Sequence, residues 1–314
     1  MAVERVVIIP RNGYVNRLQA WASSAALAAE WDAPLSVCWE PEAIAPAGVD
    51  DLFESRSLHQ WMSAADVEKL CGAPHQDLPR YLTYLPERSV VVLAGHDRGE
   101  QVFMPELVER VESAAGAVTV VIIAGGTFGL VDAELQKRRR REFYARFPWR
   151  ASITDRVEQL VEGRDSFVGL HIRHTDRSQQ APTPRQIRTA LSELLDETAI
   201  ASTFVAADTA DSLREWSDRC LALGLQPWSA GTTDHARESI AAGVDALVEW
   251  QVLGRSRGLV FSAASSFGSE AAVAAGDVPE FGLSAGRGLQ RLRGAREVLR
   301  AGATYPRRHG PFAR

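Results

Sequence analysis

Phe167-Val-Gly-Leu-His-Ile-Arg-His-Thr-Asp176 is an apolar run that ends in a cluster of cationic and hydrogen-bonding side chains. Alternation along a strand puts Phe167, Gly169, His171 and Arg173 on one face and Val168, Leu170 and Ile172 on the other. The first face therefore passes from buried to chemically loaded at the strand's carboxyl end. In an open α/β sheet that end borders the ligand crevice, so the segment reads as the floor of an active site, with His171, Arg173 and Asp176 as its catalytic candidates. His171 and His174 lie three residues apart and point to opposite faces of a continuing strand, so a shared metal ion would require the backbone to turn. The chain also contains no Asp-x-Asp pair. No metal is expected, and Arg173 becomes the natural cation for a departing diphosphate, because a guanidinium fork binds phosphate bidentately.

The pattern extends outward from this strand in both directions. Toward the C-terminus, Pro182-Thr-Pro184 opens a helix with Thr183 as N-cap and Pro184 at its first position. A strand over Thr203 to Ala207 follows, then a helix from Ser212 to Leu223 closed by Gly224, a short strand near Leu225 to Trp228, a helix from about His235 to Leu253, and a strand over Gly258 to Ser262. Toward the N-terminus, apolar runs at Arg5 to Ile9, Leu35 to Trp39, Val90 to Leu93 and Val118 to Ala124 lack alternation, as suits parallel strands covered on both faces. A helix over Asn16 to Trp31 joins the first two. The class is α/β, with two Rossmann-like domains, 1–148 and 149–314, meeting near Phe147-Pro-Trp149 and facing each other across a cleft.

Composition bounds the function. The chain has 314 residues, 46% hydrophobic and 24% charged, and a formal net charge of -5. Those are values of an ordinary globular protein, and the sign argues against nucleic acid as a partner. Lys137 to Arg141 reads as one side of a solvated helix, and a second basic stretch runs from Arg287 to Arg308. Cys38, Cys71 and Cys220 are far apart and read as reduced thiols. No apolar stretch is long enough to span a bilayer and none looks like a signal-peptide core, so a cytoplasmic location is expected.

Two further loops carry chemistry. In Gly258-Leu-Val-Phe-Ser-Ala-Ala-Ser-Ser-Phe-Gly268 a strand, a small-residue loop and a helix follow without a break. Ser265 and Ser266 fall at the helix start, where open N–H groups and the helix dipole favour an anion; the plain alternative is a capping serine. Asn12-Gly-Tyr-Val-Asn-Arg-Leu18 is a tight strand-to-helix turn in which Gly13 supplies backbone freedom and Asn16 can cap the helix. It is not a GxGxxG fingerprint, so a nicotinamide enzyme is disfavoured. Asp208 and Asp245 stand where a base or ribose could be read; the alternatives are a helix cap and a solvent-facing carboxylate.

Taken in order, these segments resemble the fucosyltransferase superfamily that includes the rhizobial Nod-factor, core alpha-6 and protein O-fucosyltransferases. Asn12 to Leu18 is similar to its N-terminal Asn-Arg loop, His171 to Asp176 to its His-x-Arg-x-Thr-Asp motif, Thr203 to Asp208 to its second motif, and Asp245 to Phe267 to its third. The resemblance implies a GT-B fold, a GDP-sugar co-substrate held by the C-terminal domain, an acceptor that is a small molecule or glycan, inversion at the anomeric carbon, and no cofactor or metal. By similarity Arg173 grips the β-phosphate, Ser265, Ser266 and Phe267 line the diphosphate, Asp245 reads guanine, and Asn16 approaches from the N-terminal domain. Core-type enzymes carry a Glu beyond the first motif, whereas Arg177 to Arg185 contains no carboxylate. Asp97 and Glu100 are then candidates for the base by position. A non-catalytic nucleotide-sugar or carbohydrate-binding protein is the alternative reading.

Overall fold

Residues 3–54, 59–78, 81–95, 104–129, 132–173, 181–232, 239–263 and 265–284 are described by a computed structural model. Among them, eleven strands form two sheets. The first contains β1 (Val3–Pro10), β2 (Leu35–Val37), β3 (Gln60–Trp61), β4 (Tyr81–Leu85), β5 (Val90–Ala94) and β6 (Val118–Ala124), in the order β3-β2-β1-β6-β5-β4. The second contains β7 (Val168–Ile172), β8 (Ser202–Ala207), β9 (Gln226–Trp228), β10 (Leu259–Ser262) and β11 (Glu280–Leu283), in the order β11-β10-β7-β8-β9. Every pairing is parallel except that of β4 with β5. This is the α/β class the sequence predicts, with two Rossmann-like sheets.

The helices are α1 (Tyr14–Glu30), α2 (Val49–Leu52), α3 (Ala64–Cys71), α4 (Met104–Glu112), α5 (Ala133–Ala145), α6 (Ala151–Val161), α7 (Pro184–Thr198), α8 (Ala210–Ala222), α9 (Ile240–Leu253) and α10 (Ser266–Ala275). None is long and apolar enough to cross a membrane among the described residues. The start of α7 follows the sequence reading: Pro184 opens it, Thr183 Oγ1 accepts from Gln186 N–H, and Gln186 Oε1 accepts from Thr183 N–H at 2.8 Å. The reciprocal bonds satisfy two donors that a bare helix end leaves open.

Alternation on β7 holds as expected. Val168, Leu170 and Ile172 pack with Ile187, Leu191 and Leu194 of α7 on one side of the second sheet. Phe167 belongs to a separate, larger core that contains Val6, Ile8 and Val120 of the first sheet together with Phe204, Leu247, Trp250, Phe261 and Val273 from the second half of the chain. One apolar core thus runs through both halves. Gly169 lets this packing close up, because a Cβ there would displace the methyl ends of Leu259 and Leu253.

The basic run of α5 departs from its sequence reading. Arg140 Nε donates to Glu270 Oε1 at 2.6 Å, Lys137 Nζ pairs with Glu280 Oε1 at 3.3 Å, Arg141 Nη1 pairs with Asp277 Oδ2 at 3.3 Å, and Arg139 pairs with Glu30. Three of these four acids lie in the second half of the chain. The run is a clamp between halves as well as a partly solvated face: Arg140 is buried on Glu270, whereas Arg138 and Arg141 stay exposed. Glu270 is its buried centre: it also accepts from Tyr144 OH at 2.8 Å and, through Oε2, from Gln19 Nε2 at 2.7 Å. The segment after Phe147 is stitched as well, since Glu54 N–H donates to Pro148 O at 3.0 Å and Arg150 N–H to Leu52 O at 2.9 Å.

Candidate active site

Each sheet reverses its strand order beside its first strand. In the first sheet β1 sits between β2 and β6, and in the second β7 sits between β8 and β10. Such switch points leave a crevice beyond the carboxyl ends of the strands. At the first, Arg11 N–H donates to Ala124 O at 2.8 Å, and Asn12 lies against Gly125, where a Cβ would overlap its amide. At the second, Arg173 N–H donates to Ser262 Oγ at 3.2 Å, tying the end of β7 to the end of β10. Residues from both switch points line one cleft of about 340 Å³, the size of a small-ligand site.

Of the residues singled out from sequence, Gly13, Asn16, His171, Arg173, Asp208, Ser265, Ser266 and Phe267 line this cleft. Asp245 does not: its carboxylate takes a 2.6 Å ion pair from Arg156 Nη1 on α6. Asp176, Asp97 and Glu100, like His174 and the basic stretch from Arg287, lie outside the described residues. Three local readings change. Gly13 has ordinary extended geometry with open space around its Cα and is itself the N-cap residue of α1, while Asn12 takes the left-handed conformation with φ 69°. Asparagine tolerates that region through local hydrogen bonding. Asn16 consequently falls inside the first turn instead of capping it. Asp208 is not a cap either, because Thr209 Oγ1 accepts from Ser212 N–H at 3.1 Å and performs that role for α8.

The wall built by the second sheet is set up for an anion. Ser265 is the N-cap of α10 but makes no side-chain cap bond; its Oγ is buried and has no hydrogen-bond partner among the described residues. The first-turn N–H groups of α10 have no intrahelical acceptor, and the helix dipole adds positive potential there. Arg173 stands in the same cleft. His171 is buried, stacks on Phe267 with ring centroids 4.9 Å apart, and leaves Nδ1 without a partner among the described residues. Its pKa lies at about 4, lowered chiefly by burial and then by the charge of Arg173, against the opposing charge of Asp208. The imidazole is therefore neutral at physiological pH. Gly268 permits the close approach, since a Cβ would come within 2.5 Å of Phe261 Cβ and 3.0 Å of His171 Nδ1.

Glu249 is the cleft residue that sequence reading passes over. It is buried on α9, and its Oε1 accepts from Thr232 Oγ1 at 2.8 Å. Its pKa is raised to about 7, chiefly by burial and with a contribution from Asp245, against the lowering effect of the Thr232 hydrogen bond and Arg156. A signal was present in Leu247-Val-Glu-Trp250, where one carboxylate interrupts an apolar run. Arg17, the arginine of the Asn-Arg loop, is fully buried and works as a fastener: Nε donates to Asn12 O at 2.8 Å and Nη1 to Glu40 O at 2.6 Å.

No protein-family model matches the chain, and no curated protein matches it. Its fold is that of solved fucosyltransferases. NodZ alpha-1,6-fucosyltransferase co-crystallized with GDP aligns with a TM-score of 0.54 and 16% identity, covering 90% of this chain and 95% of that one. A variant of Arabidopsis thaliana FUT1 in complex with GDP aligns with a TM-score of 0.61 and 16% identity, over 89% of this chain and 70% of its own. POFUT1 in complex with GDP aligns with a TM-score of 0.53 and 13% identity, over 88% and 97%.

Proposed function

We propose that this protein is an inverting, metal-independent glycosyltransferase of the GT-B kind that moves fucose or a related hexose from a GDP donor to an acceptor hydroxyl. The observation that carries this reading is the meeting of Arg173 and the open N-terminus of α10, with its unpartnered Ser265 hydroxyl, in one cleft. Cleaving the bond to a diphosphate builds negative charge on the leaving oxygens. Preorganised donors aimed at that charge are commonly the largest catalytic contribution. Arg173 and the α10 amides supply them, and the neutral His171 ring holds Phe267 and the helix start in place without competing for the anion. GDP and GDP-fucose in the complexes of NodZ and POFUT1 support the choice of donor.

In this reading residues 149–314 hold the donor and residues 1–148 present the acceptor. Glu249, with Thr232 beside it, takes the place expected for Asp245: an ionised carboxylate accepts paired N–H donors, as on the edge of guanine. Asn16 faces the transferred sugar from α1. The acceptor oxygen attacks from the face opposite the diphosphate, which inverts the anomeric carbon, and Asp97 or Glu100 removes its proton. The expected setting is the cytoplasm.

Thermal-shift screening with GDP, UDP, ADP and dTDP tests the donor, with GDP expected to stabilise the protein most. Turnover of GDP-fucose should survive chelator and should fall by about two to three powers of ten in Arg173→Ala. Near-normal turnover in that variant, with its fold intact, would overturn the proposal.

A further inference from the structure

The cleft that holds Arg173 is also lined by an isoleucine that the donor reading leaves unused. Residues 38–48, between β2 and α2, form a loop fastened along its length. Glu42 and Ala45 exchange backbone hydrogen bonds of 3.1 and 2.9 Å, closing a turn with Ile44 at its tip. Trp39 Nε1 donates to Ala47 O at 3.0 Å, and Ala47 N–H donates to Tyr14 OH at 2.8 Å. Buried Arg17 holds the other side, with Nη1 on Glu40 O at 2.6 Å and Nη2 3.0 Å from Glu42 Oε2. Ala45 and Ala47 are fully buried in this frame. Ile44 is 47% exposed and lines the cleft.

A branched apolar side chain left in water forfeits the free energy that burial would give it. A slack loop would let it turn inward; this one holds it out. The same loop carries Glu40 and Glu42, four and two residues before Ile44. Arg11 Nε lies 2.5 Å from Glu42 Oε1, Arg11 Nη1 lies 2.9 Å from His75 Nε2, and that nitrogen lies 3.1 Å from Glu40 Oε2. Arg11 immediately precedes Asn12, which lines the cleft.

We propose that this loop is the acceptor subsite, taking a saccharide whose apolar ring face rests on Ile44 while its hydroxyls donate to the part-exposed Glu40 carboxylate at the loop's edge. The proposal rests on the reading of the cleft as a sugar-transfer site. A pyranose offers both surfaces at once: C–H groups on a ring face and hydroxyls around its edge. A purely apolar ligand would leave the charged rim unused, and a purely ionic one would leave Ile44 in water.

The test compares wild type, Ile44→Ser and Ile44→Leu. GDP affinity is measured by calorimetry, transfer from GDP-fucose is measured on a panel of short oligosaccharide glycosides, and binding to the same panel is read on an array without nucleotide. Ile44→Ser should raise the acceptor KM about ten-fold and weaken array binding in proportion, with the GDP Kd and kcat unchanged, while Ile44→Leu restores both. An unchanged acceptor KM, a parallel loss of GDP affinity, or a wild type that binds none of the saccharides overturns the proposal. Failure of wild type to bind GDP counts against the donor reading alone, since array binding decides the loop's role without it.

Discussion

At the residue scale, two buried titratable groups face one cleft with pKa values displaced in opposite senses: Glu249 up to about 7 and His171 down to about 4. Their effects on stability run against each other. Glu249 has a folded pKa above its ordinary 4.5, so the stability it contributes is present below pH 4.5 and is lost as pH rises through about 7. For His171 the unfolded chain binds the extra proton, so stability is lost as pH falls from 6.5 toward 4. Comparison with Glu249→Gln isolates the carboxylate. The two proteins should be about equally stable near pH 4.5, and the variant should gain roughly 3 kcal/mol over the ligand-free wild type by pH 8. Thermal unfolding from pH 4 to 8 measures this, and a difference that does not change with pH would refute the assignment. GDP should also stabilise wild type more as the carboxylate ionises, whereas the Gln variant lacks that rise.

At the scale of elements, α10 joins the cleft to the architecture. Its N-terminus opens into the cleft, and its Glu270 collects Arg140, Tyr144 and Gln19 from the other half of the chain. Removing that carboxylate leaves a buried guanidinium without its counter-ion, which typically costs 3–5 kcal/mol. Glu270→Ala should lose about that much in urea unfolding, and Glu270→Ala with Arg140→Met should recover most of it. The exposed Arg141–Asp277 pair should contribute little, as surface pairs do. A Glu270→Ala protein as stable as wild type would show that the network does not hold α10. None of this was legible in the sequence. β1, β6, β7 and β10 announce themselves as apolar runs ending in turns, but the partners of Lys137 to Arg141 are set only by the tertiary fold. For the same reason β3, β4 and β11 escape notice: two to five residues with no strong alternation are strands only because a neighbour pairs with them. At the cleft, Arg173, His171 and Ser265 could be read because each sits at the end of a strand or the start of a helix. Glu249 could not be preferred over Asp245, since the two lie one helical turn apart on the same face of α9 and only the tertiary surroundings decide which of them reaches the cleft.

At the scale of the whole molecule, two sheets with a cleft between them invite the expectation of two lobes that unfold separately, as domains joined by a modest interface do. The core argues otherwise. Val6 and Ile8 of β1, Trp21 of α1, Tyr144 of α5, Trp250 of α9 and Phe261 of β10 all belong to one apolar cluster. Tyr144 and Trp250 meet edge to face across it, with ring centroids 5.2 Å apart. Neither half can unfold without exposing the apolar surface of the other, and the Glu270 network would lose its partners at the same moment. Calorimetry should therefore give a single transition whose calorimetric and van't Hoff enthalpies agree, even though the chain of 314 residues is long enough for intermediates to be common. Glu270→Ala should move that peak to lower temperature without splitting it. Two resolved peaks in wild type, with GDP shifting only one of them, would mean that the halves are independent and that the shared core does not couple them.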